Sequence, residues 1–233
     1  MYQPAPYPQN AASQTQAAGQ HAAFFRRVYA FMALGLTATA VTAMLVASSE
    51  EAVRFIVLNR PVFYGLLIAE LAMVWGFTAL VNRISTVAAG AMFFTYAIMN
   101  GLTLSVIFLV YTGESLASTF FITAGSFGAL SAYGYATKRD LTGVGSFAMM
   151  GLFGLIIASV VNLFLQSTMI YWLTTFMGVI VFTALTAYDT QKIKQLNQEG
   201  EAGEKGAIFG ALILYLDFIN LFLFLLRLLG RRK

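Results

Sequence analysis

Cysteine is absent from this sequence of 233 residues, and histidine occurs once, as His21 in a polar N-terminal stretch. Without cysteine the chain has no disulfides, no thiolate catalysis and no cysteine-ligated metal site. His21 lies outside the apolar part of the chain, so a catalytic triad or a histidine-based metal site is excluded there as well. We therefore expect no resident cofactor.

Charge is also scarce. Charged residues make up 10% of the chain, against about 25% in soluble domains. Hydrophobic residues make up 59%, and the mean hydropathy is +0.75. This balance indicates an integral membrane protein. The net charge of +4 does not indicate nucleic-acid binding, because the cations are scattered at the ends of apolar segments rather than gathered on one face.

Apolar stretches separated by short polar gaps predict seven transmembrane helices, since a helix of about 20 residues crosses about 30 Å of hydrocarbon. The predicted spans are 28–48, 61–81, 86–110, 115–136, 143–165, 169–190 and 206–229. The fold class is therefore an all-α integral membrane protein, with one transmembrane domain over residues 24–233. Residues 1–23 are rich in Gln, Ala and Pro and lack helical periodicity, which predicts a disordered polar tail.

The distribution of Lys and Arg predicts the orientation, because cytoplasmic loops hold the excess. With the N-terminus inside, the outer loops hold only Arg54 and Arg60. The cytoplasmic segments then hold eight cations: Arg26, Arg27, Arg83, Lys138, Arg139, Lys192, Lys194 and Lys205. The exception is the C-terminal end, where seven full crossings place four cations outside: Arg227, Arg231, Arg232 and Lys233. We favour the full crossing.

Two aspartates lie in predicted spans, Asp189 in TALTAYDT and Asp217 in LILYLDFINLFLF. An ionisable residue within a span is rare and is by default a functional hypothesis. If span six continues as a helix through KIKQLNQE, the two carboxyl groups are level in an antiparallel hairpin. Two adjacent carboxyl groups in a low dielectric share one proton, because repulsion and desolvation oppose two charges. The alternative is structural: each aspartate satisfies backbone donors or a basic partner.

Other polar residues fall within the spans at helical spacing. Glu70 is near the middle of span two, Asn100 and Asn162 are on spans three and five, and Asn220 follows Asp217 by three residues. Such residues either line a shared interior or form hydrogen bonds between helices. For the asparagines we favour the structural role, whereas a charge at the depth of Glu70 needs a partner or a proton.

Four motifs of the sequence are similar to those of a known family. TAYDTQKIK with ALILYLDFINLFLFLLRLLG, together with NGLTLS and TKRDL, resembles the bacterial type of the Bax inhibitor-1 family, also called the transmembrane Bax inhibitor motif family. The resemblance covers residues 24–233. It implies six helices around a central seventh and a pH-sensitive calcium leak controlled by two aspartates, which match Asp189 and Asp217.

The resemblance also implies an arginine near the end of the second helix that latches onto the aspartates. In this sequence Val81 occupies the position that corresponds to that arginine, and the nearest arginine is Arg83. Two residues are about 200° around a helix, so Arg83 fits the latch only if that helix end is irregular. The family also includes proteins described as suppressing cell death or restraining a membrane protease.

Three functions compete. The first is a cation leak in which Asp189 and Asp217 sense pH and bind calcium through oxygen ligands, with the direction of pH gating open. The second is a non-conducting regulator that binds other membrane proteins through the tail or the loop after span six. The third is an intramembrane aspartyl protease, which we disfavour because Asp217 follows Tyr-Leu rather than Gly-x-Gly. We therefore expect a non-enzymatic protein of the bacterial inner membrane with a cytoplasmic N-terminus, whose partners are lipid, calcium and protons.

Overall fold

The computed structural model describes residues 9–81, 83–198 and 203–233. Within these ranges the chain is all α-helical and contains no β-strand. The helices are α1 (Gln9–Ala47), α2 (Glu50–Ile56), α3 (Arg60–Leu80), α4 (Thr86–Val110), α5 (Gly113–Ala136), α6 (Thr142–Leu165), α7 (Thr168–Gln198) and α8 (Glu204–Leu229). All except α2 are long and apolar enough to cross a membrane. The chain is a multi-pass membrane protein, as its hydropathy predicts.

The seven predicted spans are confirmed, with boundaries that differ by up to seven residues. The condition that span six continues as a helix through KIKQLNQE is met as far as Gln198, where α7 ends; residues 199–202 lie outside the described residues. The short helix α2 was not predicted. It begins because the Ser49 side chain accepts a hydrogen bond from the Ala52 N–H, and Glu50 and Glu51 favour the positive N-terminal end of the helix dipole.

Helix α1 is longer than the sequence predicts. It begins at Gln9, directly after Pro8, so residues 9–23 of the predicted disordered tail are helical. Ala and Gln have high intrinsic helix propensity, and extending an existing helix avoids the cost of nucleation. Residues 1–8 of the predicted tail lie outside the described residues.

Polar residues in the gaps set where three of the spans begin. Asn59, Ser85 and Thr112 are the N-caps of α3, α4 and α5, and each side chain accepts a hydrogen bond from the backbone N–H three residues later. A capping side chain satisfies a donor that has no partner within the helix. The polar gaps therefore define the helix starts as well as separating the spans.

Helix α8 is the most buried of the seven spans. Two thirds of its most apolar window (67%) is buried in the protein, against 11–39% for the others. It packs against α1, α4, α5 and α7, and its Leu214, Tyr215 and Leu221 are at most 1% exposed. This burial is what a central seventh helix requires, while the complete ring of six around it stays a prediction.

Helices α5 and α7 approach each other closely at Gly134. A Cβ atom at this position would overlap the carbonyl oxygen of Ala187, a backbone atom of α7. Ala187 is two residues before Asp189, so this contact fixes the position of α7 near one of the two aspartates. Close backbone approach at glycine is a common way for transmembrane helices to pack.

We expect Gly134→Ala to destabilise the protein by about 1–3 kcal/mol, because α5 and α7 must separate to admit the methyl group. Gly128→Ala on the same helix is the matched control, since a Cβ there has no atom within 4 Å. The control is expected to be neutral or slightly stabilising, because alanine has the higher helix propensity. Thermal unfolding in detergent measures both variants, and equal melting temperatures would contradict the close contact.

Candidate functional site

The two aspartates of adjacent helices α7 and α8 meet inside the bundle. The carboxyl groups of Asp189 and Asp217 lie within hydrogen-bonding reach of each other. Asp217 is 4% exposed, and among the described residues its Oδ2 has no hydrogen-bond donor. Two carboxylates cannot form a hydrogen bond to each other unless one of them carries a proton. The geometry therefore suits a carboxyl pair that shares a proton.

Hydrogen bonds fix α7 next to the pair. Thr190 Oγ1 is 2.9 Å from Ser131 Oγ on α5, and Ser131 in turn contacts the Tyr29 hydroxyl on α1. On the other side of α7, Gln191 accepts a hydrogen bond from the Leu141 N–H and donates one to a backbone carbonyl of the α5–α6 loop, each at 2.8 Å. The residues that follow Asp189 thus hold its backbone against neighbouring elements.

Glu70 belongs to a second polar cluster. Its carboxylate accepts hydrogen bonds from Thr103 Oγ1 at 2.8 Å and from Asn100 Nδ2 at 3.3 Å. The Tyr215 hydroxyl donates to Asn100 Oδ1 at 3.1 Å and lies 2.7 Å from Thr39 Oγ1. The cluster joins α3, α4, α8 and α1, so Glu70 has the buried hydrogen-bond partners that its depth requires.

The other predicted site residues lie apart from both clusters. Asn162 Oδ1 accepts a hydrogen bond from the Ser167 N–H at the α6–α7 turn, and Asn220 Nδ2 donates to the Leu216 carbonyl one turn back on α8. Arg83 follows the end of α3 and is exposed. In the described part of the chain, no ion pair joins Arg83 to Asp189 or Asp217. The Arg83 latch therefore stays a prediction.

Several residues of the two clusters were not predicted from the sequence. Tyr215 and Thr39 lie in strongly apolar runs, where a single hydroxyl gives little signal. Thr190 and Ser131 are hydroxyl residues of a kind common throughout the spans. Tyr215 and Thr190 could have been suspected only because they lie close to Asp217 and Asp189 along the chain.

The aspartate pair by itself is an incomplete calcium site. Among the described residues, no group of three or more His, Cys, Asp or Glu side chains could hold a metal ion. Two carboxylates supply at most four oxygens, whereas calcium takes about six to eight. Water or backbone carbonyls would have to complete the shell, which suits an ion in transit better than a tightly held one.

The family model described as inhibitor of apoptosis-promoting Bax1 matches residues 21–233, which include both clusters. The chain belongs to the Bax inhibitor-1 family. It is 46% identical over 215 residues to inner membrane protein YbhL of Escherichia coli K12, a match that covers 90% of this chain and 92% of YbhL. It is 42% identical to a protein of Borreliella burgdorferi (90% and 92% covered). It is 36% identical to a membrane protein of Streptococcus pyogenes (89% and 92% covered).

The second cluster of this Bax inhibitor-1 protein predicts a stability effect. We expect Tyr215→Phe to destabilise the protein by about 1–3 kcal/mol, because Asn100 Oδ1 loses its donor while remaining buried. Tyr64→Phe on α3 is the matched control, since Tyr64 is 60% exposed on the outer surface of the bundle. Thermal unfolding in detergent checks the difference, and two variants of equal stability would contradict the network.

Proposed function

We propose that this protein is a pH-sensitive cation leak in which Asp189 and Asp217 form the gate and calcium is the transported ion. The observation that supports it is the contact between two carboxyl groups inside a bundle of apolar helices. A buried acidic pair is costly and is seldom kept for packing alone. The reaction is movement of an ion, and no covalent chemistry is assigned to the site.

In this proposal protons and calcium compete for the pair. With one shared proton, a hydrogen bond links α7 to α8 and the pair carries a single negative charge. When that proton leaves, two anions repel each other in a low dielectric, and a divalent cation is the counter-charge that relieves the repulsion. The state of the pair thus changes both ion occupancy and the fit of α8 against α7.

The conformation described here is closed in this proposal. A cavity of about 520 Å³ opens between α1 and the ends of α3, α7 and α8, and Ile193 and Gly210 are in its lining. Ile193 is 1% exposed. Its side chain lies 3.3 Å from the position that a Cβ atom on Gly210 would occupy. Because Ile193 is one turn from Asp189, we take its side chain to be the barrier between this cavity and the pair.

We expect Ile193→Ala to raise the calcium flux at a given pH, since the shorter side chain removes part of this barrier. Leu196→Ala is the control, because Leu196 lines the same cavity but is seven residues, two helical turns, from Asp189. Flux into proteoliposomes is the measurement. A flux no higher than that of the control would remove Ile193 from the gate.

The aspartates are tested by calcium flux into liposomes across about pH 6 to 8. We expect a pH-dependent flux in the wild type that Asp189→Asn or Asp217→Asn abolishes or makes insensitive to pH. Asp140→Asn should leave the pH dependence unchanged. Thr142 donates its hydroxyl and backbone N–H to Asp140, which lowers the pKa of that exposed carboxyl and keeps it ionised over this range. Absence of flux above empty liposomes in every variant would reject the leak.

We propose that the protein is located in the bacterial inner membrane, because its relative YbhL is named as an inner membrane protein. The excess of Lys and Arg on one side supports a cytoplasmic N-terminus. The cavity next to Ile193 would then face the cytoplasm.

The second candidate function is a non-conducting regulator of other membrane proteins. It is favoured by the extension of α1 and α7 past their apolar segments, where Asn197 Nδ2 donates to His21 Nδ1 at 2.5 Å. Paired polar helix ends of this kind offer a surface to another protein. Normal activity in cells after both aspartates are changed to asparagine would favour this function over the leak.

A further inference from the structure

A second cavity lies at the opposite end of the bundle, where α6 ends and α7 begins beside the end of α8. It has a volume of about 570 Å³. Arg227 and Arg232 line it together with the aromatic residues Tyr171 and Trp172, and no carboxylate is among its lining residues. Both arginines are among the four C-terminal cations that do not follow the predicted excess of Lys and Arg on the cytoplasmic side.

Both guanidinium groups are held by Tyr171. The central carbon of the Arg227 guanidinium lies 5.9 Å from the centre of the Tyr171 ring and 5.4 Å from that of Phe224. Arg232 Nη2 donates a hydrogen bond to the Tyr171 hydroxyl at 3.1 Å. In the described part of the chain neither arginine forms an ion pair. The cavity therefore contains two positive charges and no protein counter-charge.

The backbone next to Arg232 is anchored to the α4–α5 turn. The Arg231 carbonyl accepts a hydrogen bond from the Thr112 N–H at 3.1 Å, and the Arg231 N–H donates to Ser115 Oγ at 2.9 Å. The Lys233 N–H donates to the Val110 carbonyl at 2.9 Å. The backbone at Arg232 is thus fixed beside the cavity before any ligand arrives, which reduces the entropy lost on binding.

The position of the cavity selects the ligand. The ends of three spans meet there, which places it at the level of the lipid headgroups. Trp172 is 42% exposed, and Trp and Tyr are enriched at this depth of a membrane. We propose that the cavity binds the phosphate of an anionic phospholipid. A zwitterionic lipid carries the same phosphate, but its ammonium group offsets the attraction to the two arginines.

This site would also explain why Arg227 and Arg232, two of the four C-terminal cations, lie on the side that the charge bias disfavours. It depends on the multi-pass topology of the chain and is independent of the leak. Each of the two arginines that line the cavity is expected to contribute about a five-fold preference for the anionic lipid.

Trp172 provides a local reporter. The sequence has two tryptophans, so Trp75→Phe leaves Trp172 as the single indole. In that background, quenching of its fluorescence by brominated phosphatidylglycerol and by brominated phosphatidylcholine gives the relative affinity of the two lipids in mixed bilayers. The variants are Arg227→Gln and Arg232→Gln. Arg231→Gln is the matched control, because Arg231 is adjacent in sequence but does not line the cavity.

We expect a preference for phosphatidylglycerol that falls about five-fold in each test variant and persists in Arg231→Gln. Arg227→Lys should keep most of it, because the charge remains. Equal quenching by both lipids, an equal loss in Arg231→Gln, or a full loss in Arg227→Lys would overturn the proposal.

Addition of inorganic phosphate, with sodium chloride at equal ionic strength as the control, tests whether the ligand is a soluble anion rather than a lipid. Specific removal of the preference by phosphate would overturn the assignment to lipid.

Discussion

The bundle depends on one constraint, that a polar group within the bilayer must find its partner inside the protein. Tyr215 and Asp217 point to opposite sides of α8, because two residues along a helix are about 200° apart. Tyr215 reaches Asn100 on α4 and Thr39 on α1, while Asp217 reaches Asp189 on α7. The most buried helix is therefore attached by polar contacts on two of its faces.

These two attachments differ in kind. The cluster around Glu70 has a donor for each carboxylate oxygen and holds α3 and α4 in fixed relation to α8. In the aspartate pair, Oδ2 of Asp217 is left without a partner among the described residues. One face of α8 is thus held by a complete network, and the other by a contact that depends on protonation.

Whether a feature could be predicted from the sequence depends on how far apart along the chain its interacting residues are. Hydropathy defines the seven spans because the bilayer imposes their length, and the α7–α8 hairpin brings Asp189 and Asp217 level because they are on consecutive helices. The partner of Tyr215 was not predictable, since Thr39 is 176 residues away and nothing in the local pattern indicates which helices touch. Glu70 with Asn100 was suggested only as two polar residues needing partners. The start of α1 at Gln9 was missed because the prolines before it dominated the composition of the tail.

The burial of α8 has a consequence for the order of assembly. Helix α8 is made after the other six spans, so they enter the membrane before the helix that packs against α1, α4, α5 and α7 exists. Until then Asp189 lacks the Asp217 carboxyl and Asn100 lacks the Tyr215 hydroxyl, whereas Asn100 and Thr103, the donors of Glu70, are already present on α4. Arg231 and Lys233 also form backbone hydrogen bonds with the α4–α5 turn, and these can form only after α8 has been made. The six earlier spans are therefore inserted before the polar contacts of α8 form, and during that stage Asp189 lies in the membrane without its partner.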